Sequence, residues 1–180
     1  MRIVGGKYRG KKLFSPQNTA VRPTSERARE AIFNILYSHL GGNYENMVLA
    51  DIFAGTGAFG FEAISRGMQH VTFVDQNTET VERNAKMFDK ERDKFAIIKA
   101  NALNLPRLKR NFDIIFMDAP YAQGLSQKVL SEIITKNWLK NNGICIVEVN
   151  KNEVFDLIDG FEFIDTRIYG IAKILFLQKK

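Results

Sequence analysis

The sequence predicts an α/β protein built on a mostly parallel β-sheet. Five short apolar runs alternate with segments of helical periodicity, a pattern typical of strands that helices cover on both faces. A glycine-rich turn joins the first run to the following helix, as in βαβ units that bind nucleosides. The chain ends with two β-like runs joined at Gly170, which indicates an antiparallel hairpin and a total of seven strands.

The first 23 residues differ in composition from the rest of the chain. They are basic, contain several glycines and end with Pro16 and Pro23, so we expect a hairpin or irregular segment rather than a helix. We therefore divide the chain into an N-terminal arm, residues 1–23, and a single domain, residues 24–180.

The domain begins with an amphipathic helix and continues with alternating strands and helices. Thr24 or Ser25 can cap this helix, and the pair Gly41–Gly42 ends it. The apolar runs predict strands over residues 48–53, 70–75, 95–100, 113–118 and 143–149. The helices predicted between strands cover residues 58–67, 77–91 and 125–139.

Composition narrows the class of protein. A chain of 180 residues predicts one domain with a sizeable core. Apolar runs long enough for a membrane span or a signal peptide are missing from the sequence, which predicts a cytoplasmic protein without a membrane partner. One cysteine, Cys145, and two histidines without metal-ligand spacing predict no metal site. We expect a monomer.

The net charge of +6 comes entirely from the start of the chain. Residues 1–30 hold eight of the 26 Lys and Arg and two of the 20 Asp and Glu, and the remaining 18 of each sign cancel. A local basic block favours a polyanion, because neutralising phosphates releases counterions. A solvated arm with no specific partner is the alternative. The cations predicted to contact RNA phosphates are Arg9, Lys11, Lys12 and Arg22, and Tyr8 is available to stack on a base.

The glycine turn, residues 53–57, contains the start of a Gly55-x-Gly57-x-x-Gly60 pattern. The first glycine permits a sharp turn, the second lets the backbone approach a ligand, and the third allows the helix to pack closely on the sheet. Asp75 ends the next predicted strand, at the spacing expected of an acid that binds ribose hydroxyls. A nucleoside ligand is therefore expected here.

Asp51 bears on the choice of ligand. A carboxylate just before the turn disfavours a pyrophosphate and attracts a cationic ligand, and S-adenosylmethionine carries both a sulfonium and an ammonium group. A nicotinamide dinucleotide stays open, since it shares the glycine pattern.

The strand-end corner, residues 118–121, contains Asp118, Ala119, Pro120 and Tyr121. If the fourth strand delivers this corner to the edge that holds the glycine turn, the Asp118 carboxylate and the Ala119 carbonyl can accept hydrogen bonds from an exocyclic amine. Pro120 would fix the direction of that carbonyl, and Tyr121 would stack on the base. The corner thus predicts methylation of an amino group on a nucleobase.

Four segments together resemble the bacterial RsmD-type methyltransferases: RIVGGKYRGKKL, RPTSERAREAIFNIL, DIFAGTGAFGFEAISRG and FDIIFMDAPY. The resemblance covers the full length in order. It implies the class I S-adenosylmethionine-dependent methyltransferase fold, with a seven-stranded Rossmann-like sheet, and methylation of the exocyclic N2 of a guanine in 16S ribosomal RNA. It also implies that residues 118–121 hold the amino group and that Gly55, Gly57 and Asp75 contact the cofactor. Together with Asp51, Phe53 and Asn101, these residues form the cofactor site that we predict.

The chain departs from the family pattern at two positions. Ala119 replaces the first proline of an Asp-Pro-Pro-aromatic corner, and Asn101 stands where the family usually has an acid toward the adenine. The chain also lacks room for a separate target-recognition domain, so we expect the substrate to be folded rRNA or the small ribosomal subunit. Adenine N6 fits the corner equally well, and a non-catalytic RNA-binding protein remains open because of Ala119.

Overall fold

The computed structural model describes residues 1–15, 25–120 and 124–180. These residues contain one seven-stranded sheet in the order β3-β2-β1-β4-β5-β7-β6. Strands β1 to β5 are parallel, and β7 pairs antiparallel with both β5 and β6. The elements are α1 (Glu26–His39), β1 (Val48–Ile52), α2 (Ala58–Ser65), β2 (His70–Asp75), α3 (Glu79–Ala85), β3 (Phe95–Lys99), β4 (Phe112–Asp118), α4 (Leu125–Thr135), β5 (Leu139–Asn150), β6 (Phe161–Tyr169) and β7 (Ala172–Lys179).

The predicted fold class is confirmed, together with its C-terminal hairpin. Gly170 joins β6 to β7 with a φ of 63°, a conformation that glycine adopts without steric cost. Ser25 caps α1, since its hydroxyl accepts a hydrogen bond from the backbone N–H of Ala28 at 3.1 Å. The order of the parallel strands reverses between β1 and β4, and open α/β sheets bind ligands at such a point.

The ends of two predicted helices are wrong, each for a local reason, and β5 begins at Leu139 rather than at residue 143. The predicted helix 77–91 ends at Ala85 and continues as a 3-10 segment to Lys94, because Phe88 and Glu91 leave helical backbone angles. Both side chains are buried, and the Glu91 carboxylate accepts a hydrogen bond from Tyr8 of the arm. The helix α4 ends at Thr135, and Asn137 then adopts a positive φ of 54°.

The sheet is covered by a separate apolar layer on each face. One layer joins α1, α2 and the 3-10 segment to the sheet, and the other contains α4 and the fully buried Trp138. The ring of Phe59 on α2 stacks on Phe116 of β4 at a centroid distance of 3.7 Å and an angle of 4°. This contact fixes the helix after the glycine turn against the strand that ends in the corner.

The described part of the N-terminal arm, residues 1–15, packs against α2. Ile3 and Leu13 are buried in the core, and Arg2 pairs with Lys12 in an antiparallel bridge. The predicted boundary at residue 23 lies outside the described residues. Within residues 1–15 the arm is basic in composition but contributes apolar side chains to the core.

Glu62, a fully buried acid on α2, holds the arm in place. Its carboxylate accepts hydrogen bonds from the backbone N–H groups of Val4 and Gly5, both at 2.8 Å. It also pairs with Arg66 at 2.8 Å and lies 3.6 Å from Arg29, which is 1% exposed. Burial lowers the pKa of Arg29 from its usual value, and the Glu62 charge opposes that shift.

The described helices include none that is both long and apolar enough to cross a lipid bilayer.

Candidate active site

The carboxyl ends of three neighbouring strands lie together at one edge of the sheet. Ile52, the last residue of β1, pairs with Val74 on one side and with Met117 on the other. The next residues in the chain are Phe53, Asp75 and Asp118, so the glycine turn and the corner begin side by side. The spatial premise of the predicted site is therefore correct for the residues described.

Asp75 closes the glycine turn. One carboxylate oxygen accepts a hydrogen bond from the Gly55 backbone N–H at 2.8 Å, and the other accepts one from Asn77 at 2.9 Å. Gly55 is exposed and has a φ of 53°, and Phe53 also has a positive φ, of 64°. The turn thus presents backbone at the surface beside a partly exposed carboxylate.

The two other glycines of the pattern serve packing. Gly57 is buried with a φ of 74°, and a Cβ there would lie 2.7 Å from the ring of Phe61. At Gly60 a Cβ would lie 2.2 Å from the ring of Phe73, so the close approach of α2 to the sheet requires glycine. The expected role of Gly60 in close packing is confirmed. At Gly57 glycine is required by packing against Phe61, and its expected approach to a ligand stays a prediction.

Asp51 lies beneath the turn with 2% of its surface exposed. Its carboxyl group accepts a hydrogen bond from the Gly60 backbone N–H at 2.9 Å, which ties β1 to the first turn of α2. Burial raises the pKa of Asp51 to about 8, and that hydrogen bond opposes the shift. In the structure Asp51 thus supports the turn from the inside, and its contact with a cofactor stays a prediction.

Replacing Asp51 by asparagine should remove a pH dependence of stability. The folded protein keeps a proton on Asp51 between about pH 4 and the raised pKa of about 8, whereas the unfolded chain loses it. The stability that Asp51 contributes is therefore complete below about pH 4 and declines as the pH rises toward 8. Asparagine keeps an oxygen that can accept the Gly60 hydrogen bond. The unfolding free energy of the Asp51→Asn variant should therefore rise relative to that of wild type by up to about 1.4 kcal/mol per pH unit across this window.

Urea unfolding of both proteins at pH 5, 6.5 and 8 measures this difference. A difference in unfolding free energy that stays constant over the three pH values would contradict the assignment of a raised pKa to Asp51.

At the corner, Asp118 is partly exposed, Ala119 is buried at 4% exposure and Pro120 is exposed. Asp118 pairs in register with Glu148 of β5, an acid that is 3% exposed. Glu148 was not among the predicted site residues, although an acid within the apolar run ICIVEV is a signal of a functional position. Tyr121 lies outside the described residues.

Asn101 follows β3 at the same edge of the sheet. The backbone N–H of Ala100 donates to the Asp75 carbonyl at 3.0 Å, which places this loop beside the end of β2. The Asn101 side-chain oxygen accepts a hydrogen bond from Leu103 at 2.9 Å and caps a short 3-10 turn. The residue itself is exposed, and its oxygen can accept a second hydrogen bond.

The predicted RNA contacts of the arm divide into two groups. Arg9 and Lys12 are exposed. Lys11, in contrast, donates to the Met87 carbonyl and lies 5.0 Å from the centre of the Tyr8 ring. Arg22 lies outside the described residues.

Tyr8 is also engaged within the protein. Its hydroxyl donates to Glu91 at 2.6 Å, and its ring packs edge-on against Phe88. Hydrogen bonds from Lys7, Lys94 and Tyr8 lower the pKa of Glu91 to about 2. Sequence reasoning missed Glu91, because its partner Lys7 lies 84 positions away in the chain.

Among the described residues, His, Cys, Asp and Glu form no group that could hold a metal ion.

Known proteins resemble the chain over nearly its whole length. A family model described as conserved hypothetical protein 95 matches residues 1–178. "Ribosomal RNA small subunit methyltransferase D" of Haemophilus influenzae is 28% identical, over 99% of this chain and 93% of the relative. The chain belongs to the RsmD-type family.

Other members of the RsmD-type family and solved structures agree with this assignment. An uncharacterized methylase of Rickettsia prowazekii is 29% identical, over 99% of this chain and 97% of the relative. The crystal structure of a putative methylase from Haemophilus influenzae is 27% identical, with a TM-score of 0.79 over 99% of this chain and 97% of that one. The class I methyltransferase fold is confirmed.

Proposed function

We propose that this RsmD-type protein transfers a methyl group from S-adenosylmethionine to the exocyclic N2 of a guanine in 16S ribosomal RNA. The observation that carries the proposal is the position of Asp118. Asp118 ends β4 at the same edge of the sheet as the glycine turn, which follows the neighbouring strand β1 and is closed by the Gly55–Asp75 hydrogen bond. A carboxylate beside a nucleoside site is suited to accept hydrogen bonds from the N–H groups of an amine.

The residues at this edge fit the cofactor. Each oxygen of Asp75 accepts one backbone hydrogen bond, which leaves lone pairs for ribose hydroxyls. A pyrophosphate would meet an edge that carries the carboxylates of Asp75 and Asp118, so these acidic residues disfavour a dinucleotide and favour a cationic ligand. Asn101 and the exposed backbone of Gly55 complete the set of cofactor contacts that we propose. When bound, S-adenosylmethionine supplies an electrophilic methyl group on a sulfonium.

The corner makes the amine nucleophilic. The lone pair of an exocyclic amino group is delocalised into the base, so the nitrogen attacks poorly while it stays planar. Hydrogen bonds from its two N–H groups to the Asp118 carboxylate and the Ala119 carbonyl favour a pyramidal nitrogen and orient its lone pair. Pro120 aims the carbonyl and Tyr121 stacks on the base, a contact worth about 1–3 kcal/mol.

The names of the relatives and the charge of the arm support ribosomal RNA as the substrate. Relatives from Haemophilus influenzae and Escherichia coli are called ribosomal RNA small subunit methyltransferase D. Arg9 and Lys12 of this chain are exposed and available to phosphates. Folded rRNA in the small subunit is the substrate form that we propose, with the protein acting as a cytoplasmic monomer.

A transfer assay tests the proposal. Purified protein is incubated with methyl-labelled S-adenosylmethionine and small ribosomal subunits that lack the modification, and the RNA is digested to nucleosides. We expect the label in N2-methylguanosine and slower labelling of short naked oligonucleotides. Label in N6-methyladenosine would show that the target is adenine N6 rather than guanine N2. Cofactor binding without any transfer would favour the non-catalytic RNA-binding protein.

Charge reversal in the arm should weaken RNA binding without affecting the cofactor. In a double variant with Arg9→Glu and Lys12→Glu, two cations that can neutralise phosphates become anions. We expect lower affinity for 16S rRNA and a slope of log affinity against log salt that is shallower by roughly 1 to 2. Filter binding at several salt concentrations measures the slope, and calorimetry measures S-adenosylmethionine affinity.

Lys128→Glu is the matched control, because this exposed lysine lies on α4, at the opposite face of the sheet from the arm. An equal loss of RNA affinity per reversed charge in the control and the double variant would show that net charge alone acts, and would contradict a contact between the arm and RNA.

A further inference from the structure

Asn84, a fully buried side chain on α3, connects the arm to the glycine turn. Its amide oxygen accepts a hydrogen bond from the Phe14 backbone N–H at 2.8 Å. Its amide nitrogen donates to the Phe14 carbonyl at 3.0 Å and to the Thr56 carbonyl at 2.8 Å. Both donors and the oxygen of the amide are therefore used, and no other neutral side chain of this size has this set of groups.

Two further contacts tie the same parts together. The guanidinium of Arg83 lies 3.5 Å from the centre of the Phe14 ring. The hydroxyl of Thr56 donates to the sulfur of Met1 at 3.3 Å. Met1 thus contacts Thr56 directly, and Phe14 is joined to Thr56 through the Asn84 side chain.

Thr56 lies between the two glycines that shape the turn. Gly55 is held by Asp75, and the Gly57 backbone N–H donates to Ala54 at 2.7 Å. Thr56 is joined to the arm by its own contact with Met1 and, through the buried Asn84 side chain, by the link to Phe14. Loss of this link would leave buried polar groups without partners, which is costly in a site closed to water.

We propose that Asn84 is a positioning residue that couples the N-terminal arm to the cofactor turn, so that S-adenosylmethionine and RNA each strengthen binding of the other. The coupling follows because a cofactor that stabilises the observed conformation of Thr56 also stabilises the Asn84 contacts with Phe14. Linkage then requires RNA on the arm to favour the cofactor by the same factor. This inference rests on the proposed function.

Hydrogen exchange of the full-length protein tests the coupling without RNA. Saturating S-adenosylmethionine should slow amide exchange within residues 1–15 by about fivefold or more, the lower range of measured couplings. Unchanged exchange in protein shown by calorimetry to bind the cofactor would overturn the inference and leave the proposed function standing. Failure to bind S-adenosylmethionine at all would overturn both.

Variants then assign the coupling to Asn84. Asn84→Asp keeps the size and an acceptor for Phe14 but loses the donors to Phe14 and Thr56. We expect the response of residues 1–15 to the cofactor to fall below about twofold and the KM for the cofactor to rise more than kcat falls. Ile133→Ala, which leaves a cavity in the apolar layer on the other face of the sheet, controls for lost stability and should keep the full response.

A full response in Asn84→Asp, or an equal loss of response in Ile133→Ala, would overturn the role of Asn84. The exchange response of the wild-type protein to the cofactor tests whether the arm and the turn are coupled, even if the Asn84→Asp variant fails to fold.

Discussion

Replacement of Asp118 by alanine should lower the single-turnover rate of methyl transfer by about 10²–10³-fold, the usual effect of removing one hydrogen-bonding group that acts in the transition state. In the mechanism that we propose, the carboxylate accepts a hydrogen bond from an N–H of the target amine, and that hydrogen bond strengthens as positive charge develops on the nitrogen. Asp118 ends β4 and is not one of the proposed cofactor contacts, so the affinity for S-adenosylmethionine should change by less than about threefold. Rapid-quench assays and calorimetry measure the two quantities.

Asp93→Ala is the matched control for this experiment. Asp93 is an exposed acid that precedes β3, so it lies at the opposite edge of the sheet, and its loss should leave the rate unchanged. A rate in Asp118→Ala within threefold of wild type would exclude Asp118 from the chemistry. A parallel loss of cofactor affinity would instead assign Asp118 to the cofactor.

Replacement of Glu62 by glutamine should lower the unfolding free energy by about 3–5 kcal/mol, the range for breaking a buried ion pair by removing one partner. Glutamine has one acceptor oxygen, whereas the Glu62 carboxylate serves two backbone N–H groups of the arm as well as Arg66. It would also leave Arg29 charged and buried without its counter-ion. Equilibrium unfolding in urea at pH 7 measures the loss.

Glu26→Gln controls for the removal of an acid that pairs with the arm. Glu26 binds Arg2 at 2.9 Å, but their side chains are 36% and 62% exposed, so this ion pair should contribute less than about 1 kcal/mol. Equal losses in the two variants would contradict the view that Glu62 anchors the arm.

The sheet and the position of the site followed from the sequence because both depend on local patterns. Continuous apolar runs between helices specify buried parallel strands, and the carboxyl ends of such strands must share one edge. Asp75 and Asp118 could thus be placed at that edge from their positions at the ends of two runs. The positive φ of Gly55 followed in the same way from the residue type.

The attachment of the arm could not be predicted, because it depends on polar partners far apart in the chain. Glu62 lies in an apolar helix and binds residues 57 and 58 positions away, and Asn84 reaches 70 positions to Phe14. A buried polar residue has no periodic signature that identifies its partner. Its burial becomes visible only in the folded structure.

The charge count of residues 1–30 could be interpreted only with the structure. Arg29 is buried against Glu62, and Lys7 pairs with Glu91 at 2.5 Å, so part of the basic excess serves the fold. Arg9 and Lys12 remain exposed, and these two give the described part of the arm its best candidates for phosphate contacts.

Nucleoside mass spectrometry of 16S rRNA tests the central claim most directly. The RNA is taken from cells that lack this protein and from the same cells complemented with wild-type protein or with Asp118→Ala. We predict that one N2-methylguanine disappears in the deletion, returns with the wild-type protein and stays absent with Asp118→Ala. An unchanged set of methylated nucleosides in the deletion, or full restoration by Asp118→Ala, would contradict an amine methyltransferase built on this edge of the sheet.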